Sequence, residues 1–309
     1  MITPIAAYAQ ATGGWLTEAD LLAHEARWVE PLRTSWRGWT LVGMGRPTQG
    51  VCALEALAIL EPLEADVHGS IEALKLAFAD VYATIGDPRH GGDPARLLEP
   101  AYIAARRARL GPVAGPSPAP PGIDGGTVLM CAVDDGGMSA SVIQSNFNGF
   151  GSGLVVPGTG IALQNRGAGF TFERGHPNEV GAGKQPFHTL LPGLIGTPHG
   201  VGAFGCMGGQ MQPQGHVQLV TALHSGVSAQ EAVDAKRWRW LDDGRVALEH
   251  GFTATDAGRR RADDLERRGH RVVRDASPWL FGGAQVLLPT ERGWDAGSDP
   301  RKDGGVLWC

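Results

Sequence analysis

Asp124-Gly125-Gly126-Thr127-Val128-Leu129-Met130-Cys131-Ala132-Val133 is the stretch on which the reading of this chain turns. A proline- and glycine-rich segment, 111–126, runs into it. The residues from Val128 to Val133 are mostly apolar and β-favouring, so Thr127 stands at the mouth of a buried strand. Asp134-Asp135-Gly136-Gly137 then marks a tight turn, and Met138 to Asn146 reads as the returning strand of a hairpin. A two-residue loop sets Gln144 opposite Thr127; a three-residue loop with glycine in the left-handed conformation sets Ser145 there. Either register turns a polar side chain toward the threonine, and Thr127 becomes the candidate nucleophile.

Outward from the hairpin, the chain reads as a mixed α and β protein. Thr17 caps a short helix, with Asp20 completing a capping-box pair. Trp39 to Met44 is a strand. Val51 to Leu60 is apolar except for Glu55 and reads as a buried helix. Ile71, Leu74, Phe78, Val81 and Ile85 recur at helical spacing. Asp93-Pro94 and Pro100 open short helices, and the segment 111–122 has the composition of an exposed, mobile linker. Beyond the hairpin, a helix is expected from Gln210 to Leu223, another from Ala229 to Trp238, a strand from Val246 to Glu249, and a helix from Ala257 to His270. In that last helix Asp263 and Asp264 follow Arg259 and Arg260 by four residues, the spacing of ion pairs on a solvated face.

Composition narrows the function. The 309 residues carry 27 basic and 32 acidic side chains, a formal charge of −5, too mild to call for nucleic acid or an anionic membrane surface. No apolar run approaches the roughly 20 residues of a membrane span, and Met1 to Gln10 lacks a signal-peptide pattern. The four cysteines, Cys52, Cys131, Cys206 and Cys309, have no paired spacing, which fits a reducing compartment and a cytoplasmic location. The ten histidines show no ligand spacing with carboxylates or cysteines, so neither metal nor cofactor is expected. Phe150-Gly151-Ser152-Gly153 has no accompanying phosphate-loop lysine or dinucleotide fingerprint. A small molecule is the expected partner.

Ordered blocks then carry a resemblance: Thr127 to Asp134, Gln144-Ser145-Asn146, Phe150-Gly151-Ser152-Gly153, Pro157-Gly158-Thr159-Gly160-Ile161-Ala162-Leu163-Gln164-Asn165, Met207-Gly208-Gly209 and Ser298-Asp299-Pro300-Arg301-Lys302-Asp303-Gly304. Together they resemble the small subunit of the gamma-glutamyltransferase family, whose members are N-terminal-nucleophile hydrolases. The resemblance implies an αββα sandwich of two stacked antiparallel sheets flanked by helices. It divides the chain into 1–110, the later part of a mostly helical large-subunit region; 111–126, the segment before the cut; and 127–309, the catalytic small-subunit region. Full-length relatives have a long segment before the position of Met1, supplying core strands and a substrate-binding arginine, so this chain resembles the later part of a longer protein.

The resemblance also implies the chemistry. A threonine hydroxyl needs an adjacent base. Cleavage between Gly126 and Thr127 frees an α-amino group of pKa about 8 to serve as that base. Ser145 matches the hydroxyl residue that bonds the nucleophile, and Gly208 and Gly209 match the pair whose N–H groups hold the oxyanion. The pocket departs from true gamma-glutamyl enzymes. Gly169 stands where they have an acidic residue, Arg166 lies in the same loop beside Asn165, and His188-Thr189 replace tandem serines. Losing a carboxylate and gaining an arginine favours an anionic substrate, and these features resemble the oxamate amidohydrolase and acylase branch. Arg166, Asn165, His188 and Thr189 are the substrate-binding candidates, with His188 readable as a contact or as a supporting residue. Gln212 and His216 read as structural. The expected partners are a small-molecule amide and the chain's own cleaved large-subunit segment, with a homo-oligomer also open. Genuine gamma-glutamyl transfer or glutathione hydrolysis is the alternative activity. A non-catalytic fragment or subunit is the alternative outside enzymes.

Overall fold

The computed structural model describes residues 2–64, 66–118 and 125–308. The chain opens with helices α1 (Ile2–Ala11) and α2 (Glu18–Leu22), the latter capped by the reciprocal Thr17–Asp20 box. Strands β1 (Leu32–Trp36) and β2 (Trp39–Gly43) follow, then helices α3 (Gly50–Leu60), α4 (Val67–Thr84) and α5 (Pro100–Arg107). The hairpin is β3 (Gly125–Val133) and β4 (Ser139–Asn148), followed by the short β5 (Val155–Val156) and β6 (Ile161–Ala162). Next come β7 (Gly193–Thr197), β8 (Gly200–Met207), α6 (Met211–His224), α7 (Ala229–Asp234), β9 (Trp238–Trp240) and β10 (Val246–Glu249). The chain finishes with α8 (Asp256–Arg267), β11 (Val272–Ala276), β12 (Gly283–Thr290) and β13 (Gly293–Ser298).

Six strands form one antiparallel sheet in the order β1-β2-β7-β8-β12-β13. Alternation along β8 sends its side chains to two layers. Phe204 and Cys206 face α6, where the Phe204 and His216 rings meet at a tilt, their centroids 4.6 Å apart. Gly205 faces the hairpin, and its missing side chain lets Leu129 seat directly on the sheet. Beneath lies the main core, where α3 is buried on every side as its composition requires. Above, among the described residues, the second layer is the two-stranded hairpin alone.

The hairpin takes the three-residue register. Asp134 and Met138 close the loop, Gly137 adopts φ +81°, and Thr127 pairs with Ser145. Elsewhere the structure corrects local expectations. The helix expected through Trp238 stops at Asp234, because Trp238 to Trp240 pair with β10 as a strand. The expected pairs of Arg259 with Asp263 and Arg260 with Asp264 are replaced: Arg259 turns back to Asp256, Asp263 pairs with Arg274, and Asp264 pairs with Arg267 and, four residues on, with Arg268.

The segment expected to be an exposed, mobile linker is held by hydrogen bonds over residues 111–118. His68 bonds the Gly111 carbonyl, Ala114 N–H donates to the Arg268 carbonyl, and Glu72 and Lys75 hold both backbone groups of Gly115. His68, Glu72 and His270 bring metal-type donor atoms within 4.8 Å of one another. Lys75 and Gly115 already occupy the carboxylate, and the two imidazoles bond each other at 2.8 Å. Residues 119–124, where the linker expectation continues, lie outside the described residues.

Candidate active site

The contacts of β4 with β8 place the site. Ser139 donates to the Val201 carbonyl and Ser141 to that of Phe204, so the two strands run in the same sense. Four residues further, Ser145 therefore reaches the end of β8 where Gly208 and Gly209 begin. Thr127, paired with Ser145, lies at that same end.

At the bond between Gly126 and Thr127 the geometry is specific. Ser145 Oγ donates to the Gly126 carbonyl oxygen at 2.9 Å and itself accepts from Phe147 N–H at 3.0 Å. Thr127 Oγ is buried and has no hydrogen-bond partner among the described residues. A bulge in the ladder between Gly125 and Thr127 breaks regular pairing there. Glycine is required at 126, since a Cβ would sit 2.6 Å from the Gly149 carbonyl oxygen.

Gly208 and Gly209 adopt φ +116° and +56°. Their carbonyls accept from Met211 and Gln212 N–H at the start of α6. The amide of a planar peptide points opposite to its carbonyl, so the Gly209 N–H faces away from that helix.

Arg166 is almost fully buried. Its Nη2 donates to the Ser145 carbonyl at 3.0 Å, and the guanidinium lies over the Phe147 ring at 5.3 Å. Its Nη1 has no partner among the described residues. Burial lowers the guanidinium's pKa. Burial, with the Arg166 charge second, also pulls the His188 imidazole down to about 3, so it is neutral at physiological pH.

His188 N–H and carbonyl pair with Pro47 and Gln49. Thr189 is buried, with its carbonyl accepting from Gln49. Asn165 spends its side-chain amide on the backbone of Asn148 and Gly151, holding the loop after β4. Gln212 Oε1 accepts from Leu191 N–H and thus braces the segment leading into β7.

Two residues of this site carried no role in the sequence. Gln49, fully buried, donates to the carbonyls of both Thr189 at 2.7 Å and Gly209 at 3.0 Å. Its sequence signal is an amide side chain at the mouth of an otherwise apolar helix. Phe147, a buried aromatic with φ +81°, had no signal, because left-handed backbone at a non-glycine residue is a tertiary outcome.

A strand-initial threonine facing a hydroxyl, on a hairpin stacked over an antiparallel sheet with helices beneath, is the architecture of the N-terminal-nucleophile hydrolases. The chain belongs to the gamma-glutamyltranspeptidase family, whose model it matches over residues 3–309. It is 41% identical over 321 residues to the oxamate amidohydrolase proenzyme of Klebsiella pneumoniae, covering 96% of this chain and 58% of that protein. It is 32% identical over 323 residues to the glutathione hydrolase-like YwrD proenzyme of Bacillus subtilis, covering 98% of this chain and 60% of the relative. The cephalosporin acylase of Bacillus halodurans superposes with a TM-score of 0.89 at 37% identity, over 99% of this chain and 58% of that one. The chain thus spans less than two thirds of the length of each of these relatives.

Proposed function

We propose that this chain is a self-cleaving amidohydrolase that uses Thr127 against small carboxylate-bearing amides. The observation that carries the reading is the Ser145 hydroxyl on the Gly126 carbonyl. That bond polarises the carbonyl the threonine must attack. Thr127 Oγ adds to the Gly126 carbonyl carbon, the Gly126–Thr127 C–N bond breaks as the nitrogen takes up a proton, and water hydrolyses the resulting ester. The products are a Gly126 carboxylate and a free Thr127 α-amino group.

In turnover the α-amino group accepts the hydroxyl proton while Oγ attacks a substrate amide. The Gly208 and Gly209 N–H groups hold the developing oxyanion. The amine leaves with the proton, and water releases the acyl group as a carboxylate. Arg166 supports the choice of an anionic substrate, because its unpartnered Nη1 is a buried cationic donor. It is anchored on Ser145, the residue paired with the nucleophile, so a carboxylate bound there belongs to a short acyl group.

The test is intact mass measurement of the wild-type chain beside Thr127→Ala, followed by ammonia release from oxamate. Two fragments divided at Gly126, absent from the variant, are expected, and Arg166→Ala should cleave normally yet respond weakly to oxamate. Cleavage persisting in Thr127→Ala would sink the mechanism.

A second reading, a subunit completed by another polypeptide segment, draws on the sheet face beside the hairpin. Pro31, Val42, Met44, Pro192 and Leu194 line an open, largely apolar cavity of about 550 Å³ there. Val128, Met130 and Val142 on the hairpin's outer face are also exposed. Cleavage that occurs only when the polypeptide encoded immediately upstream is supplied would favour this reading.

A further inference from the structure

We propose that Phe147 determines which acyl groups the site accepts, selecting short carboxylates over longer ones. This rests on the carboxylate reading of Arg166 above. Three observations at Phe147 converge. Its backbone is held in the left-handed region at φ +81°, which a bulky L-residue adopts only when its surroundings impose it. Its amide donates to Ser145 Oγ, so this backbone conformation serves the hydroxyl opposite the nucleophile. Its ring then lies beneath the Arg166 guanidinium at 5.3 Å, while Nη2 is fixed on the Ser145 carbonyl.

Two constraints on one guanidinium leave little freedom. The ring and the Ser145 carbonyl set the plane and one edge, and Nη1 is the nitrogen left for a ligand. A Lys or a free-swinging Arg would chase a carboxylate over several positions; this one presents its donor at a set depth.

Gly169 touches the same ring: a Cβ built there would lie 3.6 Å from Phe147 Cζ and 3.4 Å from the Phe187 carbonyl oxygen, so a branched side chain at 169 would press on the ring that orients the guanidinium. With Nη1 held at one distance from Ser145, a short acyl group spans to Thr127 and a longer one does not fit the same span. The ring face turned to Arg166 is covered by the guanidinium, and the ring supplies no carboxylate to an ammonium group.

Calorimetric titration of the purified wild-type chain with oxalate and with succinate, two dicarboxylates differing in length, tests this without requiring turnover. Oxalate is expected to bind more tightly. Phe147→Tyr, which keeps an aromatic face, should preserve that preference. Phe147→Leu should weaken oxalate about three- to thirtyfold, the range of a desolvated cation–π contact, and narrow or reverse the preference over succinate. Gly169→Val presses on the ring and should weaken oxalate in the same way, independently of whether Phe147→Leu folds. Unchanged oxalate-to-succinate ratios in Phe147→Leu or in Gly169→Val, with wild-type binding intact, would overturn the role of Phe147 and leave the carboxylate reading standing. Wild-type protein that binds neither dicarboxylate would overturn the carboxylate reading, and this inference with it.

Discussion

Ser145 donates its hydroxyl proton to the carbonyl oxygen of Gly126 while the hydroxyl of Thr127, across the same rung of the hairpin, has no partner among the described residues. The serine is thus aligned with the carbonyl on which negative charge would develop in the proposed self-cleavage. Ser145→Ala should slow cleavage by about 10²- to 10³-fold, the cost of deleting one oxyanion donor. A time course of intact mass reads it directly, and an unchanged rate would remove Ser145 from the processing step.

Gln49 links the two sides of the site by donating to Thr189 and Gly209. Gln49→Met keeps the volume but leaves both buried carbonyls without this donor. A loss of about 1–3 kcal/mol of stability is expected for the Thr189 carbonyl, and less for that of Gly209, which keeps the Gln212 N–H. Releasing the Gly209 carbonyl from Gln49 frees rotation about the Gly209 backbone and so loosens the residue whose own N–H is assigned to the oxyanion; kcat should fall about ten- to a hundredfold with KM near wild type and self-cleavage retained. A rise in KM at constant kcat would place Gln49 in substrate binding instead.

Asp299 anchors a buried charge network. It accepts from Arg237 Nη2 at 2.6 Å, from Ala284 N–H, and from Arg301 through both backbone and side chain. Burial alone would raise its pKa, but the two arginines and the backbone donors outweigh burial and hold it below the usual value. Asp299→Ala strands Arg237, itself 2% exposed, and should cost about 3–5 kcal/mol in denaturant unfolding.

Acid should destabilise the fold through its buried imidazoles. Burial sets His216 at about 3, and burial with the Arg166 charge sets His188 at about 3, against 6.5 unperturbed. Between those values the unfolded chain binds more protons than the folded one. The stability is complete above 6.5 and is lost as pH falls toward 3. His216→Gln should reduce the slope of unfolding free energy against pH in that window by up to about 1.4 kcal/mol per pH unit, one proton's worth.

Much was legible because it is local. Apolar runs, caps and turn residues located the hairpin, α3, α4, α6 and α8, since each depends on residues a few positions apart. The sequence also narrowed the partner of Thr127 to Gln144 or Ser145, because strand periodicity allows only the two registers that these loop lengths produce. The loop geometry at Gly137 decided for Ser145. The helix expected from Ala229 to Trp238 was read too far, because Trp238 pairs with β10 as the start of a strand, and pairing outweighs local preference.

The sequence by itself determined where the chain turns and that Thr127 lies in the first positions of a hairpin strand; the strand expected to be buried instead alternates, with Val128 and Met130 exposed. Only the tertiary structure decided that Ser145 bonds the Gly126 carbonyl and that Gln49 joins segments 140 and 160 residues away. It also decided that Phe147 is held left-handed under Arg166. These are contacts between side chains and distant backbone, and their direction depends on how β4 crosses β8, a relation that no window of neighbouring residues encodes.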